Sequence, residues 1–292
     1  MNNKEYLECL FDSDKPIIIY RVKGGFDVYT DFSKKINLTK DNAKNFFNKT
    51  VKKPNSRNKF FDGYVGFLSY ELQCRLIGIK IPKQKLNGFR NNYFYKPETL
   101  IKIRKGIKVF STLKNIKNIK RLELSSKKFF YEKKFNVSLT LAQYTKIFKT
   151  FSKKIREGQT YQIKICQKYR NNSNIDPVQF FWKLMKVNTS QESFMIRDES
   201  YSIISCSPET LIDKKGNKIT TKPIAGTLKR NKNTTLNKAK KFFSQNEKET
   251  KEHNMIVDME RNDLSRICKI GSVQIKKLKY VEAYKDLYHY VT

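Results

Sequence analysis

The segment 246–266 places two carboxylates and an imidazole at helical spacing. One face of the helix predicted there carries, in i, i+3, i+4, i+7, i+8 order, Glu249, Glu252, His253, Ile256 and Val257. The second half of this face is apolar, so we expect the face to pack inward. Buried carboxylates need a cation, a proton or several donors, and acids with few histidines suit a hard divalent ion such as Mg²⁺. A solvated first helical turn would also suit these acids, through the helix dipole.

A second segment, 205–230, combines a glutamate with a glycine-containing turn. Glu209 leads a predicted strand and could act as a general acid if its side chain points into a cavity. Gly226 and Thr227 follow an apolar dipeptide in a predicted turn, where a glycine leaves backbone N–H groups free to meet an anionic ligand. An ordinary β-hairpin with an exposed glutamate would fit the same residues.

The elements that must position these residues alternate between strands and helices. Apolar or alternating runs predict strands at 16–22, 99–112 (a pair), 161–169, 194–196, 201–206 and 210–221 (a hairpin turning at 215–216). Two glycines among the aromatics of 61–71 indicate sharp bends or a close backbone approach inside a sheet. Helical periodicity predicts helices over 140–157, 177–186 and 246–265, with Thr140 as an N-cap and Asn246 and Glu249 as a capping box. Hairpins and helices in this order predict an α+β fold.

The net charge of +34 is the strongest compositional signal. The lysines are spread from end to end, without an arginine-rich recognition helix, a zinc finger or a basic stripe with interleaved aromatics, so no nucleic acid partner is expected. No apolar run approaches the roughly 20 residues that cross a bilayer, and the first residues lack a signal-peptide core. We therefore expect a cytoplasmic protein without a membrane partner. The five cysteines form no CxxC pair and are expected to be buried free thiols.

Four blocks of the sequence together resemble the chorismate-utilising enzymes in order and spacing. They are FDGYVGFLSYEL at 61–72, GQTYQIKICQKY at 158–169, SCSPETLI with TTKPIAGTLKR at 205–230, and NEKETKEHNMIVDMERNDLSR with VEAYKDLYHYVT at 246–292. The family patterns are GGxVGYLSYDL, GDxYQVNLSQRF, SSPExLV with TRPIAGTRPRG, and DEKExAEHxMLVDLxRNDLGR with VExYSHVMHLVS. Within the family, the chain looks like the ammonia-using component I proteins of the anthranilate synthase and aminodeoxychorismate synthase type.

This resemblance implies a fold and an organisation. The fold would be that of anthranilate synthase component I, with large, mostly antiparallel sheets layered with helices. Residues 1–135 would form the N-terminal region, and residues 136–292 would form the chorismate-binding catalytic domain. Family members continue well beyond the block that ends at Thr292, so the resemblance predicts a chain that is incomplete at its C-terminus. The missing part would supply further Mg²⁺-binding acids and the Tyr and Arg that grip the substrate's carboxylates, so activity is not expected from these residues alone.

The resemblance also implies roles for individual residues. Glu252 matches a Mg²⁺ ligand whose metal holds the C1 carboxylate of chorismate, and Glu249 matches a second acid lining that site. Glu209 matches the acid that helps the C4 hydroxyl to depart, and His289 matches the histidine beside the ring. A metal suits one carboxylate of a dianionic substrate, and hydroxide leaves poorly unless it is protonated.

Two positions bear on which reaction is expected. Isochorismate and salicylate synthases of the family have a lysine base at the position of Gln162 to activate water, whereas ammonia users have glutamine. Gly226 and Thr227 match substrate contacts. At the neighbouring Ala225, some aminodeoxychorismate synthases have a lysine that attacks the ring, whereas anthranilate synthases have alanine. Against an anthranilate synthase, the chain lacks the LLES segment of the tryptophan-inhibited enzymes and has NTSQESFM at 188–195 in place of NPSPYMF. The choice between the two products therefore stays open, and tryptophan regulation is not expected.

The expected function is therefore that of a component I chorismate aminase of tryptophan or folate biosynthesis. It would convert chorismate to anthranilate or 4-amino-4-deoxychorismate, using Mg²⁺ and ammonia from a glutamine amidotransferase subunit. Two alternatives stay open. One is a water-using isochorismate or salicylate synthase, and the other is a non-enzymatic basic binding protein.

Overall fold

The computed structural model of the protein describes residues 2–48, 63–80, 92–114, 130–188 and 190–292. The chain divides into two compact units, one formed by 1–122 with 177–292 and the other by 123–176. The division near residue 135 that the resemblance implies stays a prediction.

The described residues form helices and antiparallel strands. The helices are α1 (Asn3–Asp12), α2 (Lys40–Asn48), α3 (Tyr70–Leu76), α4 (Leu141–Arg156), α5 (Pro177–Val187), α6 (Leu236–Gln245) and α7 (Glu247–Ser265). The strands of the first half are β1 (Ile17–Val22), β2 (Gly25–Leu38), β3 (Val65–Phe67), β4 (Asn92–Ile103), β5 (Ile107–Ser111) and β6 (Asn136–Val137). Those of the second half are β7 (Tyr169–Arg170), β8 (Glu192–Arg197), β9 (Ser202–Ser207), β10 (Thr210–Lys215), β11 (Lys218–Lys222), β12 (Ile224–Lys229), β13 (Tyr280–Ala283) and β14 (Leu287–Val291).

The larger sheet of the first unit has the order β3-β4-β2-β1-β8-β9, with β5 paired to β4. Its central strand β1 begins with three consecutive buried isoleucines, Ile17–Ile19, which confirms the predicted buried strand. The predicted strand pairs at 99–112 and 194–206 are also confirmed, by β4 with β5 and by β8 with β9. These antiparallel ladders and the helices that cover them make the fold α+β, as predicted.

Each face of this sheet is covered by its own apolar cluster. Residues of α1 and α5, including Tyr6, Leu10 and Phe181, pack against one face of β1. The opposite face carries Ile18, Ile196 and a group of tyrosines. At the edge of the sheet Gly66 confirms the predicted close backbone approach, because a Cβ there would collide with the Tyr93 carbonyl. Phe61 lies outside the described residues.

A smaller sheet, with the order β12-β14-β13, carries the second helical layer of this unit. Helices α6 and α7 pack over it through a cluster that includes Phe243, Tyr288 and Tyr290. The rings of Phe243 and Tyr290 stack with their centroids 5.0 Å apart. This layer positions most of the candidate site residues.

The second unit contains β6, β7 and α4. Thr140 caps α4 and forms a capping box with Gln143, as its sequence predicts. The predicted strand over 161–169 is wrong, since only Tyr169 and the residue after it pair, with the two residues of β6. Alternation of apolar and polar residues is compatible with the two faces of a strand. A strand forms, however, only where the backbone of a neighbouring segment pairs with it through hydrogen bonds.

The prediction of buried thiols holds for only part of the set. All five cysteines are free, and Cys9 and Cys74 are buried in the first unit. Cys206 and Cys268 are half-buried, and Cys166 is exposed because its segment 161–168 forms no strand.

Candidate active site

The candidate residues of the first unit converge on the short strand β12. Three of them, Glu209, Glu249 and His289, lie far apart in sequence but meet this strand at Ile224, Gly226 and Thr227. Glu209 is exposed, as the alternative of an ordinary β-hairpin expects, and its Oε1 accepts a hydrogen bond of 3.0 Å from the Ile224 N–H. The hydroxyl of Thr227, on β12 itself, lies 3.1 Å from Nδ1 of His289 on the adjacent strand β14.

Gly226 lies between these two contacts and is tightly enclosed. Its φ of 101° is in the left-handed region, and the pairing of β12 with β14 shifts register between Ile224 and Thr227. The predicted turn at Gly226 is therefore wrong, because the strand continues through the glycine as a bulge. A Cβ on Gly226 would lie 2.8 Å from Oε2 of Glu249 and 2.9 Å from Cε1 of Phe243. The backbone of β12 thus comes close to a carboxylate of α7.

Replacing Gly226 by alanine should therefore destabilise the site severely. We expect Gly226→Ala to lower the free energy of unfolding by about 3 kcal/mol, because left-handed strain adds to overpacking against Glu249 and Phe243. Urea unfolding would measure the loss. The matched control is Gly216→Ala in the hairpin turn, where φ is 58° but no atom lies within 4 Å of the added Cβ. Equal losses in the two variants would contradict the enclosure of Gly226.

Helix α7 confirms the predicted inward face. His253 and Val257 are buried, and Glu249, Glu252 and Ile256 are half-buried. The Asn246 side chain caps the helix by accepting a hydrogen bond from the Glu249 N–H.

The predicted capping box at the start of α7 forms only in part. The Asn246 N–H donates to the Phe242 carbonyl at the end of α6, so it is already engaged. The Glu249 carboxylate instead lies against Gly226. Glu249 is therefore not a solvated acid at the helix terminus, because its side chain is only 17% exposed.

His289 is buried, and its surroundings keep it neutral at pH 7. Burial lowers the pKa of the imidazole below its ordinary value of 6.5, although a hydrogen bond with the Gly226 main chain and the negative charges of Glu282 and Glu209 act in the opposite direction. The ring of Tyr284 packs edge-on against His289, with centroids 5.0 Å apart and an interplanar angle of 76°. A neutral imidazole hydrogen-bonded to Thr227 can accept a proton from a bound ligand.

His253, which no predicted role includes, supports the opposite side of β12. It is fully buried, and its Nε2 lies 2.6 Å from the hydroxyl of Thr292. Burial lowers its pKa, the nearby main chain of Ala225 acts in the opposite direction, and the positive charge of Lys279 lowers the pKa further. Ala225 itself is buried. Both histidines of the chain therefore flank the segment 225–227.

The acids of α7 could supply only some of the ligands of a hard divalent cation. Mg²⁺ prefers carboxylate oxygens and commonly uses one or two of them, completing its six ligands with water and substrate oxygens. Glu249 and Glu252 are half-buried acids one turn apart on α7, which suits that arrangement. Among the described residues no group of three or more His, Cys, Asp or Glu side chains gathers as a ready metal cage. These two acids are therefore the donors that this chain would offer.

Gln162 lies in the second unit, in the irregular segment before β7. It is half-buried, and its carbonyl accepts a hydrogen bond of 3.4 Å from the Thr160 hydroxyl. Its expected place in the catalytic site stays a prediction.

Sequence reasoning missed a second polar cluster beside His289. Lys222 Nζ lies 2.8 Å from one carboxylate oxygen of Glu282 and 2.9 Å from the other. The same carboxylate accepts hydrogen bonds from the hydroxyls of Tyr280, at 3.3 Å, and Tyr284, at 3.0 Å. The alternation Tyr-x-Glu-x-Tyr at 280–284 was the available signal, because strand residues at i, i+2 and i+4 share one face.

A cavity of about 250 Å³ adjoins this cluster. Lys222 and Tyr280 line it together with Val257, Glu260 and Thr292. It lies toward the C-terminal half of α7, beyond the carboxylates that face β12.

No helix among the described residues has both the length and the apolar composition to cross a bilayer.

Comparison with known proteins agrees with this architecture. The family of chorismate binding enzymes matches residues 8–292, and the chain belongs to that family. A sequence relative, aminodeoxychorismate synthase component 1 of Bacillus subtilis, is 35% identical over 139 residues, which are 47% of this chain and 30% of the relative. Seven further curated relatives are anthranilate synthase chains. Across these eight relatives, the match spans 26% to 59% of the relative's own length.

Solved structures of other proteins share the fold, among them an anthranilate synthase component and an isochorismate synthase. Anthranilate synthase component I from Streptococcus pneumoniae superposes with a TM-score of 0.64 at 22% identity, covering 94% of this chain and 66% of that one. The menaquinone-specific isochorismate synthase from Escherichia coli superposes with a TM-score of 0.60 at 11% identity, covering 97% and 65%. The predicted component I-like fold is thus confirmed, and an isochorismate synthase shares it, so the fold alone does not select one reaction.

Proposed function

We propose that the protein acts in a component I-type chorismate aminase, which adds ammonia to chorismate and forms anthranilate or 4-amino-4-deoxychorismate. The observation that supports this most strongly is the convergence of Glu209, Glu249 and His289 on three neighbouring positions of β12. This strand contains most of the PIAGT segment, which by resemblance to the family would contact the substrate. A glutamine amidotransferase subunit would supply the ammonia.

For anthranilate, a C–N bond would form at C2 while the C4–O bond breaks and the two ring double bonds shift; for 4-amino-4-deoxychorismate, the new C–N bond would form at C4 as the C4–O bond breaks. Glu209, in its protonated form, would give its proton to the departing hydroxyl, which leaves as water. The new ammonium group loses one proton, which restores the acid. Elimination of pyruvate from this intermediate would give anthranilate, and neutral His289 can accept the ring proton that leaves in that step.

The remaining residues would bind and orient. Thr227 and the main chain around Gly226 would contact the substrate. Glu252 and Glu249 would hold Mg²⁺, which neutralises the C1 carboxylate when it is bound. Gln162 would orient ammonia, which is already a nucleophile and needs no strong base.

A water-using isochorismate synthase is the second candidate, favoured by the shared fold with the Escherichia coli enzyme. Gln162 argues against it, since an amide cannot remove a proton from water as a lysine amine can.

Product analysis separates these functions. We expect the full-length gene product, given chorismate, Mg²⁺ and ammonium chloride, to form an amine, either anthranilate or 4-amino-4-deoxychorismate, which mass spectrometry would identify. ¹⁵N-labelled ammonium should appear in the product. Formation of isochorismate or salicylate without an amine would support the second candidate, and unchanged chorismate would contradict both.

A further inference from the structure

The small sheet aligns three polar residues in one cross-strand row. Thr227 on β12 pairs with His289 on β14, which in turn pairs with Glu282 on β13. Directly paired residues of adjacent strands project from the same face of the sheet. His289 therefore has a hydroxyl on one side and a carboxylate on the other.

We propose that Glu282 is a positioning residue for His289: it anchors the Tyr284 ring against the imidazole and holds a negative charge on that side of the row. The role in turnover rests on the proposed function, whereas the arrangement itself does not. Neither the motifs nor the roles implied by the resemblance assign a function to Glu282.

The Glu282 carboxylate is held too firmly to be an incidental surface charge. Both oxygens contact Lys222, and each also accepts a hydrogen bond from a tyrosine, so four donor contacts fix its position. The carboxylate is 25% exposed and Lys222 is 21% exposed. Burial would raise the pKa of Glu282, but the hydrogen bonds from Lys222 and Tyr284 and the charge of Lys222 bring it below its ordinary value. Glu282 therefore stays ionised at neutral pH.

Tyr284 transmits this anchoring to the imidazole. Its hydroxyl donates to Glu282 while its ring edge meets His289. Burial and the neighbouring carboxylate raise the pKa of Tyr284, so the hydroxyl remains a donor. With Thr227 on the other side of the ring, the imidazole is held between a hydrogen-bond partner and an aromatic edge.

The charged groups that face His289 determine how its pKa should change when the negative charge of Glu282 is removed. They are the carboxylates of Glu282, on β13, and of Glu209, the residue that precedes β10 in the chain, and both favour the imidazolium form of His289. Lys222 is the cation bound to Glu282, and Tyr284 is neutral. Glu282→Gln keeps the size of the side chain and removes one of the two negative charges, so the imidazole should become harder to protonate.

The test uses the fact that the chain has only two histidines. Histidine-selective ¹³C and ¹⁵N labelling of the whole chain gives two sets of imidazole signals, which the spectrum of His289→Gln assigns. In Glu282→Gln we expect the pKa of His289 to fall by about one unit. The pKa of His253 should stay where it is, because its shift arises from burial, Ala225 and Lys279. The matched control, Glu260→Gln on α7, should move neither histidine.

The possible outcomes separate this inference from the proposed function. A fall confined to His289 supports the positioning role, whether or not chorismate is turned over. An unchanged pKa of His289, or an equal change in both histidines, overturns it, because the latter would signal general loosening. If the protein aminates chorismate, Glu282→Gln should lower kcat about tenfold with little change in KM, and should shift the acidic limb of the pH–rate profile downward together with the pKa of His289. An unshifted acidic limb would also count against the inference.

Discussion

Replacing Glu252 by glutamine should lower kcat/KM for chorismate on the order of 10³-fold while leaving the fold intact. Glu252 is half-buried on the face of α7 that packs on β12, one turn from Glu249. Glutamine keeps the shape of the side chain but removes the charge that would hold Mg²⁺. Because a bound cation would neutralise a carboxylate of the substrate, its loss should weaken both substrate binding and turnover.

The measurement has three parts. Steady-state rates with the full-length gene product give the loss of activity, and thermal melting tests whether the fold survives. Calorimetric titration with Mg²⁺, alone and with chorismate, tests metal binding directly. The matched control is Glu247→Gln, an acid on the same helix whose side chain is 79% exposed and pairs with Lys251. Full activity in EDTA, or a fully active Glu252→Gln variant, would rule out the metal role.

The sequence was sufficient where structure depends on neighbouring residues. The N-caps Thr140 and Asn246, the buried run Ile17–Ile19 and the inward face of α7 all follow from periodicity and capping chemistry within one element. The motifs also led to the correct family and fold, because they fix residue types at defined spacings over the second half of the chain.

The sequence was insufficient where structure depends on pairing between distant segments. The alternating run before Tyr169 pairs only at its end, and nothing within the run itself reveals that its partner strand β6 is two residues long. Gly226 was predicted in a turn because glycine is common there, whereas pairing with β14 makes it a bulge. A glycine signals an unusual backbone conformation, but the strand beside it decides which one.

The candidate site shows the same limit. The residue types of Glu209 and His289 indicated chemistry, but their meeting on β12 joins positions separated by 15 and 62 residues. Glu282 was overlooked because an acid in a short alternating strand is common, and only the register of β13 with β14 sets it opposite His289. Cross-strand register depends on the whole sheet, so local sequence does not determine it.

The buried carboxylate of Asp198 gives the largest expected stability effect outside the candidate site. Its side chain is 4% exposed, and it accepts hydrogen bonds from Lys35 Nζ at 2.8 and 3.2 Å and from the Tyr95 hydroxyl at 2.6 Å. The Lys35 ammonium also lies 4.6 Å from the ring centroid of Tyr93. Lys35→Met should lower the free energy of unfolding by about 3 kcal/mol at pH 7, since it leaves a buried carboxylate without its cation.

The pH dependence of this loss distinguishes an electrostatic cause from lost packing. Burial would raise the pKa of Asp198, but hydrogen bonds from Lys35 and Tyr95 and the Lys35 charge bring it below its ordinary value of 3.8. The ionised Asp198 therefore stabilises the wild type above that value, and the contribution is lost as the pH falls through the lower pKa of the folded state. Without Lys35 the pKa of Asp198 rises, so the carboxyl can become neutral in the folded variant. The difference in unfolding free energy between wild type and Lys35→Met should thus be greatest near pH 7 and shrink as the pH falls, first through the raised pKa of Asp198 in the folded variant and then through its lowered pKa in the folded wild type. Urea unfolding across this range would measure it, with Lys34→Met, at an exposed neighbouring lysine, as the control. A difference that is the same at every pH would show that Lys35 contributes only by packing.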